Sequence, residues 1–534
     1  MKQTSKYSLS RGVVWLTLAA LIAKILSAVY RVPLQNLLGN QGFYIYQQVY
    51  PFYGLATSLA LSGLPNFVAK QLALQQDDWQ LKKASQRLLV LALILCLVIF
   101  SVLFWGAGPL AVIMGDPYLD VAIQSSALIY LLVPWLLMGR GWFQSQQMMA
   151  PTALSQVLEQ LVRVTVILLI AWWFSQEPGG DIYQLGAKLM TSGWLAALVA
   201  AIFLGGCFIY YYCGRFTIVD RRLTGLPYQL SWTYLSQVFA GEGLVTCLFT
   251  ALLILLQMID AFTLVDLLQD KGMSLAIAQD IKGAYDRGQP LVQLGMVFSL
   301  ALSANYLPYL AQLRNRRQRA GFRKASHQYF RLTLLVASLV TTGLMSVLPL
   351  LNQVLFASRQ ASHVLTVYLA MVLLASMSLV VHNILQADNK WYYSGLALLA
   401  GLVIKYIANQ ILIVAWATMG AAIASLLALV TVLVVLLVCL ERSILVQLTK
   451  SGLLLRLSPL LVTMFASIRT MVGLYDYFWG PDRLGDGIAL LVMVVWGLVL
   501  TWVYLRRVDL ISANEWQYLP QGEWLYEKFI KRRK

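Results

Sequence analysis

Charge is what this chain of 534 residues has least of. Charged residues make up 12% of it, against about 25% in a water-soluble domain. Acids are scarcer than bases, 23 Asp and Glu against 40 Lys and Arg. Only three histidines occur, His327, His363 and His382, on different segments. The five cysteines (Cys96, Cys207, Cys213, Cys247, Cys439) lie in or at the ends of apolar segments. Their odd number and their spacings fit neither a disulfide framework nor a metal motif, which leaves small apolar packing residues. No Walker A motif occurs, so no nucleotide-hydrolysing site of that type is expected. No cluster with metal-ligand spacing is present either. Polar stretches between apolar runs are too short for a separate soluble domain. A membrane glycan transferase or acyltransferase would need a catalytic acid or histidine near an interface and polar loops of some size; neither is found. The expectation is a chain that is not an enzyme, with no catalytic residue, no cofactor and no metal.

What the chain has is apolar length. Hydrophobic residues make up 59% and the mean hydropathy is +0.70. A membrane-spanning helix needs about 20 largely apolar residues. Apolar runs between charged or Gly/Pro breaks give about fourteen spans. They lie near 12–37, 42–69, 88–108, 118–139, 152–174, 184–213, 232–265, 290–313, 325–349, 363–386, 391–415, 417–440, 452–475 and 487–505. The first run extends past Leu26, contains Lys24 and lacks a small-residue cleavage site, so it reads as a retained span rather than a signal peptide.

The net charge of +17 could suggest nucleic acid, but its distribution is a topology signal. One alternating set of loops, with both termini, holds 29 Lys and Arg, Arg140 among them; the opposite loops hold 5, namely Lys271, Lys282, Arg287, Arg359 and Arg483. This asymmetry places both termini in the cytoplasm and supports an even number of spans. The longest cytoplasmic connection, 314–331, is strongly basic and suits anionic lipid headgroups.

Six cations remain inside the apolar runs: Lys24, Arg31, Lys188, Arg163, Lys405 and Arg469. On insertion scales a cation at the bilayer centre costs about 2.5–3.5 kcal/mol. Lys24 and Arg31 are seven residues apart, on one helix face and about 10 Å apart, a separation that can bracket a diphosphate. Snorkelling to an interface is the alternative, open to Arg31 more easily than to Lys24. Glu159 and Arg163 stand at i, i+4 and can pair, for structure or for function. Glu242 and Asp260, eighteen residues apart, would share a face of span seven, and either suits a proton or coupling-cation site; Asp260 equally suits an external cap. Lys405 lies mid-span with Asn409 one turn on, a candidate polar cavity pair. Lys188 and Arg469 sit near outer ends, where snorkelling fits better. Six cations against three clear acids favour an anionic ligand.

Aromatics gather at span ends (Tyr44, Tyr46, Tyr50, Tyr53; Tyr210, Tyr211, Tyr212; Trp391, Tyr392, Tyr393), as an interfacial belt requires. Ser58-Leu59-Ala60-Leu61-Ser62 recurs as Ser299-Leu300-Ala301-Leu302-Ser303, each preceded by a Tyr-x4-Pro pattern, Tyr46 to Pro51 and Tyr285 to Pro290. Such a repeat fits parallel duplicated lobes.

Several longer segments are more specific. They are Ala23-Lys24-Ile25-Leu26 through Tyr30-Arg31-Val32-Pro33-Leu34, Gly139-Arg140-Gly141-Trp142-Phe143-Gln144, Met149-Ala150-Pro151 through Glu159-Gln160-Leu161-Val162-Arg163, and Tyr285-Asp286-Arg287-Gly288-Gln289-Pro290. With Asn409 through Gly420-Ala421-Ala422 and Leu519-Pro520-Gln521-Gly522, they resemble the YtgP/SpoVB group of flippases along essentially the whole chain. That group stands with MurJ in the superfamily of multidrug, oligosaccharidyl-lipid and polysaccharide exporters. The resemblance implies an all-α integral membrane protein of about fourteen helices. Two six-helix lobes would form a V around a central cavity, with two further C-terminal helices. On this chain the lobes would be 1–213 and 232–441, with a cytoplasmic linker 214–231, two added spans in 442–505 and a basic cytoplasmic tail 506–534.

It also implies movement of lipid II, the undecaprenyl-diphosphate-linked peptidoglycan precursor, to the outer leaflet of the bacterial plasma membrane. Cell-wall biogenesis and cell shape would then be its setting. Its partners would be this lipid-linked anionic substrate and membrane lipids, with the cell-wall synthesis machinery as a further candidate. Lys24 and Arg31 match the places of first-span arginines that matter in MurJ. The arginines that MurJ carries on its second and eighth spans have no mid-span counterpart here, which makes Arg163, Lys405 or Arg469 the candidates to replace them. Other readings are a flippase for another polyprenyl-linked polysaccharide or teichoic-type unit, and a multidrug/cation antiporter, against which the net-positive interior counts.

Overall fold

The computed structural model describes residues 22–508, apart from 24, 62, 76, 177–178, 214–230, 445–451 and 481. Lys24, nearly all of the expected linker and nearly all of the expected tail therefore lie outside the described residues. Those described are almost entirely helical, and no strand occurs among them.

In chain order the helices are α1 (Arg31–Leu61), α2 (Gly63–Ala73), α3 (Asp78–Trp105), α4 (Ala107–Ile113), α5 (Asp120–Ala127), α6 (Val133–Ser145), α7 (Met149–Ser175), α8 (Ile182–Cys213), α9 (Trp232–Val238) and α10 (Leu244–Thr250). They continue with α11 (Leu252–Asp270), α12 (Leu275–Asp286), α13 (Gly288–Gly295), α14 (Val297–Asn315), α15 (Arg319–Phe356), α16 (Ser362–Tyr368), α17 (Met371–Ala387), α18 (Tyr392–Val438), α19 (Leu453–Phe478) and α20 (Arg483–Arg507). Asp77 starts α3 by accepting from the Gln80 backbone N–H at 2.7 Å, and Asp482 does the same for α20 through Gly485 at 2.9 Å. Each satisfies one of the four free N–H groups that a helix start leaves.

Ten of these helices or helix runs are long and apolar enough to cross a membrane, and eleven if the bent pair Leu275–Gly295 and Val297–Asn315, which meet at 40°, counts as one span. Two features account for part of the difference from the sequence count, and the helix over the second expected span, Arg31–Leu61, is not among these runs. Of the first expected span, 12–37, residues 12–21 and 24 lie outside the described residues. Helix α18 is one run of 47 residues only nominally: Trp416 (φ −128°) and Ala417 (φ 49°) break it between the expected spans 391–415 and 417–440.

The chain forms two compact units, neither of which is one continuous stretch of sequence. The first comprises Met1–Pro290 and Lys390–Ala428, the second Leu291–Asn389 and Leu429–Lys534. In the first unit α7 packs along α8, α2 along α6, and α12 along α1. The α1–α12 contact is so close that a Cβ on Gly283 would lie 2.2 Å from the Asn40 carbonyl oxygen; no side chain fits there. In the second unit α15 packs against α17, α19 and α20. Val347, Leu350, Met464, Ile468, Val472, Ala489 and Met493 form a core between α15, α19 and α20. Arg359, in the loop after α15, ties both C-terminal helices together through Asp476 (2.8 Å) and Asp486 (2.7 Å). Leu484, Ile488, Leu491 and Leu498 of α20 remain exposed, an apolar surface that suits lipid.

The structure corrects three local expectations. Arg140, Lys282 and Arg287, assigned to loops by charge counting, are buried, the first two within helices and Arg287 at the α12–α13 junction. Tyr44, Tyr46, Tyr50 and Tyr53 are not an interfacial belt but interior residues, each 5% exposed or less; Tyr210 and Tyr392 are exposed, as the belt requires. Glu242 and Asp260 do not share one continuous helix. A π turn over Phe239–Gly243 and a break at Ala251 intervene, so helical-wheel arithmetic between them fails.

Candidate functional site

Among the described residues, the first unit buries six cations, Arg31, Arg140, Arg163, Lys282, Arg287 and Lys405, and four acids, Asp116, Glu159, Asp260 and Asp286. Three cations are matched one to one. Arg140 donates to Glu159 Oε2 at 2.6 Å, to Ser155 Oγ at 3.1 Å and to the Ala60 carbonyl at 2.9 Å. Lys282 pairs with Asp286 one turn on, at 2.6 Å. Lys405 pairs with Asp260 at 2.5 Å. Arg287 donates to Asn40 Oδ1, whose amide donates in turn to Asp280 at 2.8 Å.

The expected i, i+4 pair of Glu159 with Arg163 is not formed. Arg140, reaching over from α6, engages Glu159, and Arg163 turns to a set of tyrosines. Tyr46, Tyr50 and Tyr53 follow one another at i, i+4 and i+7 on one face of α1. Tyr30, in the turn before that helix, hydrogen-bonds Tyr46 hydroxyl to hydroxyl at 2.6 Å. Arg163 donates to Tyr30 (2.5 Å), Tyr53 (3.0 Å) and Gln160 Oε1 (3.3 Å). Its guanidinium carbon stands 4.5 Å from the Tyr53 ring centre and 4.8 Å from that of Tyr30. Arg31 shares this cage. Its guanidinium carbon lies 4.2 Å over the Tyr50 ring, and its Nε donates to Tyr30 at 3.5 Å. Neither terminal nitrogen of Arg31 has a hydrogen-bond partner among the described residues.

Arg31 and Arg163 are thus two fully buried cations with no carboxylate partner among the described residues. Ring faces and phenol oxygens offset part of the cost; a cation–π contact contributes about 0.5–2 kcal/mol. That is less than an uncompensated buried charge requires. Such a pair has the chemistry to accept an anion. Phosphate oxygens could replace the phenol oxygens as acceptors, with stronger, charge-assisted and bidentate bonds.

The structure brings Arg31 and Arg163 together, and it joins Lys405, Asp260 and Asn409 in a second cluster. Asn409 donates to Asp260 Oδ1 at 2.9 Å and to Thr263 at 2.7 Å. Glu242 belongs to neither cluster: it pairs with Lys70, itself half exposed, at 2.5 Å. Lys188 is exposed, and Arg469 bonds the Met345 carbonyl and Thr366 in the second unit.

Sequence reasoning missed Arg140, the four caging tyrosines and Asp116. Asp116 accepts from Tyr44 (3.1 Å), Tyr183 (3.2 Å) and Gln279 (3.0 Å); burial pushes its carboxyl above the usual carboxylate range, and the hydrogen bonds from Gln279 and Tyr44 hold it back. The missed signal for the cage was the i, i+4, i+7 spacing of Tyr46, Tyr50 and Tyr53 in the run that follows that of Arg31.

This architecture has known counterparts. The profile of the polysaccharide biosynthesis protein family matches residues 9–314, and the chain belongs to that family. It is 31% identical over 528 residues to the uncharacterized membrane protein YabM of Bacillus subtilis (strain 168), covering 98% of this chain and 97% of that protein. It is 29% identical over 216 residues to the lipid II flippase MurJ of the same organism, covering 38% of each chain. Among solved structures, the lipid II flippase MurJ in an inward closed conformation superposes with a TM-score of 0.62 at 12% identity, covering 92% of this chain and 99% of that one. At that identity the likeness establishes the fold alone, that of an all-helical multi-pass membrane protein.

Proposed function

We propose that this protein is an alternating-access flippase that carries lipid II, the undecaprenyl-diphosphate-linked peptidoglycan precursor, from the inner to the outer leaflet of the bacterial plasma membrane. The observation that carries the reading is the tyrosine cage around Arg31 and Arg163, two buried cations without carboxylate partners among the described residues. In the described conformation both are sealed. Opening exposes them, and the diphosphate takes the place of the phenol oxygens while the polyprenyl tail stays in lipid. Lys24, seven residues before Arg31 and outside the described residues, is assigned to the same site on its sequence spacing alone. The bodies that rock are the lobes 1–213 and 232–441, with both termini cytoplasmic, as the excess of Lys and Arg in one alternating set of loops supports even with the buried Arg140, Lys282 and Arg287 left out. The sequence has no Walker A motif, so the drive is the membrane potential or an ion gradient. A site with unmatched positive charge opposes a cationic drug, which sets the antiporter reading aside.

The test is depletion of the resident lipid II flippase in a strain expressing this chain. Growth and an accessible outer-leaflet pool of lipid II are expected with the wild type. Both should be lost with Arg31→Ala/Arg163→Ala at matched membrane expression. No rescue by the well-expressed wild type would transfer the function to another polyprenyl-linked glycan, and rescue by both would discard the anion site.

A further inference from the structure

The second cluster has the chemistry of a cation cage whose cation is covalently attached. Lys405 is fully buried, and its ammonium has three N–H donors. They meet three oxygens: Asp260 Oδ1 at 2.5 Å, Ser425 Oγ at 2.7 Å and the Ala421 carbonyl at 3.0 Å. A carboxylate, a hydroxyl and a carbonyl are the hard oxygen donors that bind metal cations without nitrogen or sulfur ligands. A fourth oxygen belongs to a side chain that already bonds the cage carboxylate. Asn409 Oδ1, on a fully buried side chain whose amide nitrogen already bonds Asp260, has no partner among the described residues. Backbone geometry holds the cage open on this side. The break at Trp416–Ala417 turns the chain back beside itself, and a Cβ on Gly420 would lie 2.0 Å from the Leu412 carbonyl oxygen, so only glycine lets Ala421 and Ser425 face Lys405. Around the cage, Tyr285 donates to Asp260 Oδ2 at 3.2 Å, and the Lys282–Asp286 pair is close enough to act on Lys405 and Asp260 electrostatically.

We propose that Lys405 is a resident cation: its ammonium fills a site that would otherwise take a monovalent metal ion, and removing the side chain converts the cage of Asp260, Ser425, Ala421 and Asn409 into a sodium or potassium site. With one carboxylate in the cage, a single positive charge neutralises it, which selects a monovalent over a divalent ion. A protein so built needs no dissolved metal ion at this position.

Thermal unfolding of the purified full chain in detergent tests this, and it needs no substrate, so its failure is separate from failure of the lipid II reading. Wild type, Lys405→Ala and Lys405→Ala/Asp260→Asn are compared in sodium, potassium and choline chloride at equal ionic strength and pH. The wild-type midpoint should be the same in all three salts. Lys405→Ala should unfold earlier in choline and recover in sodium or potassium, with a shift that saturates. The double variant should lose that selectivity. A wild type stabilised by sodium or potassium over choline overturns the proposal. So does a Lys405→Ala protein that is equally unstable, or unobtainable, in every salt, or one recovered only by lowering the pH, which would mean that a proton on Asp260 replaces the ammonium.

Discussion

The two clusters of the first unit are equally deep in the protein and differ in how their charge is neutralised. Lys405 and Arg140 each face a carboxylate and fill their donor geometry with carbonyl and hydroxyl oxygens. Arg31 and Arg163 face rings and phenols, and two of the Arg31 nitrogens have no acceptor among the described residues. Burial alone therefore does not mark a functional cation. A matched pair is complete within the protein, and breaking it exposes an uncompensated charge. A cation held by phenols and an amide, with no carboxylate in hydrogen-bond reach among the described residues, has a deficit which an incoming anion can fill.

The comparison breaks first at the matched end. Glu159→Ala strands Arg140 and should cost about 3–5 kcal/mol of stability, with Arg140→Met/Glu159→Met recovering most of it; thermal or denaturant unfolding of the purified variants measures both. At the unmatched end, Arg163→Met should unfold no earlier than the wild type, because it removes an uncompensated charge. It should nevertheless weaken anion binding by about 1.5–3 kcal/mol, the value of hydrogen bonds to a charged group. Binding of a diphosphate-bearing lipid to the purified protein reads that loss, and a stability collapse without a binding loss would make Arg163 structural. The smallest effect belongs to Lys70→Ala. The Lys70–Glu242 pair is partly exposed, so its loss should stay within about 1 kcal/mol in the same unfolding assay.

Much of this was legible in the sequence. The apolar runs set the spans because a helix in lipid must satisfy its own backbone, which makes long hydrophobicity hard to misread. Arg31, Arg163, Lys405, Asp260 and Asn409 stood out because polar groups in such runs are costly. Their partners did not stand out. Whether Glu159 meets Arg163 on its own helix or Arg140 on another depends on which helices pack, and i, i+4 spacing only permits the first. Arg140 and Lys282 were read as loop residues because a cation near the end of a span looks the same whether it faces a headgroup or a carboxylate inside. The tyrosines of α1 misled for the same reason: an aromatic at a span end suits a belt or a cage equally well. Glu242 and Asp260 were joined by counting turns, and counting fails across a π turn.

The contact of Gly283 with the Asn40 carbonyl has a mechanical consequence. Because no Cβ fits at 2.2 Å, even a single methyl group at residue 283 is a wedge between α12 and α1. It disfavours the conformation described here and leaves any conformation in which those helices stand apart untouched. Such a change biases the population of states without altering one charge in either cluster, so glycine at this position acts as the protein's permission to close.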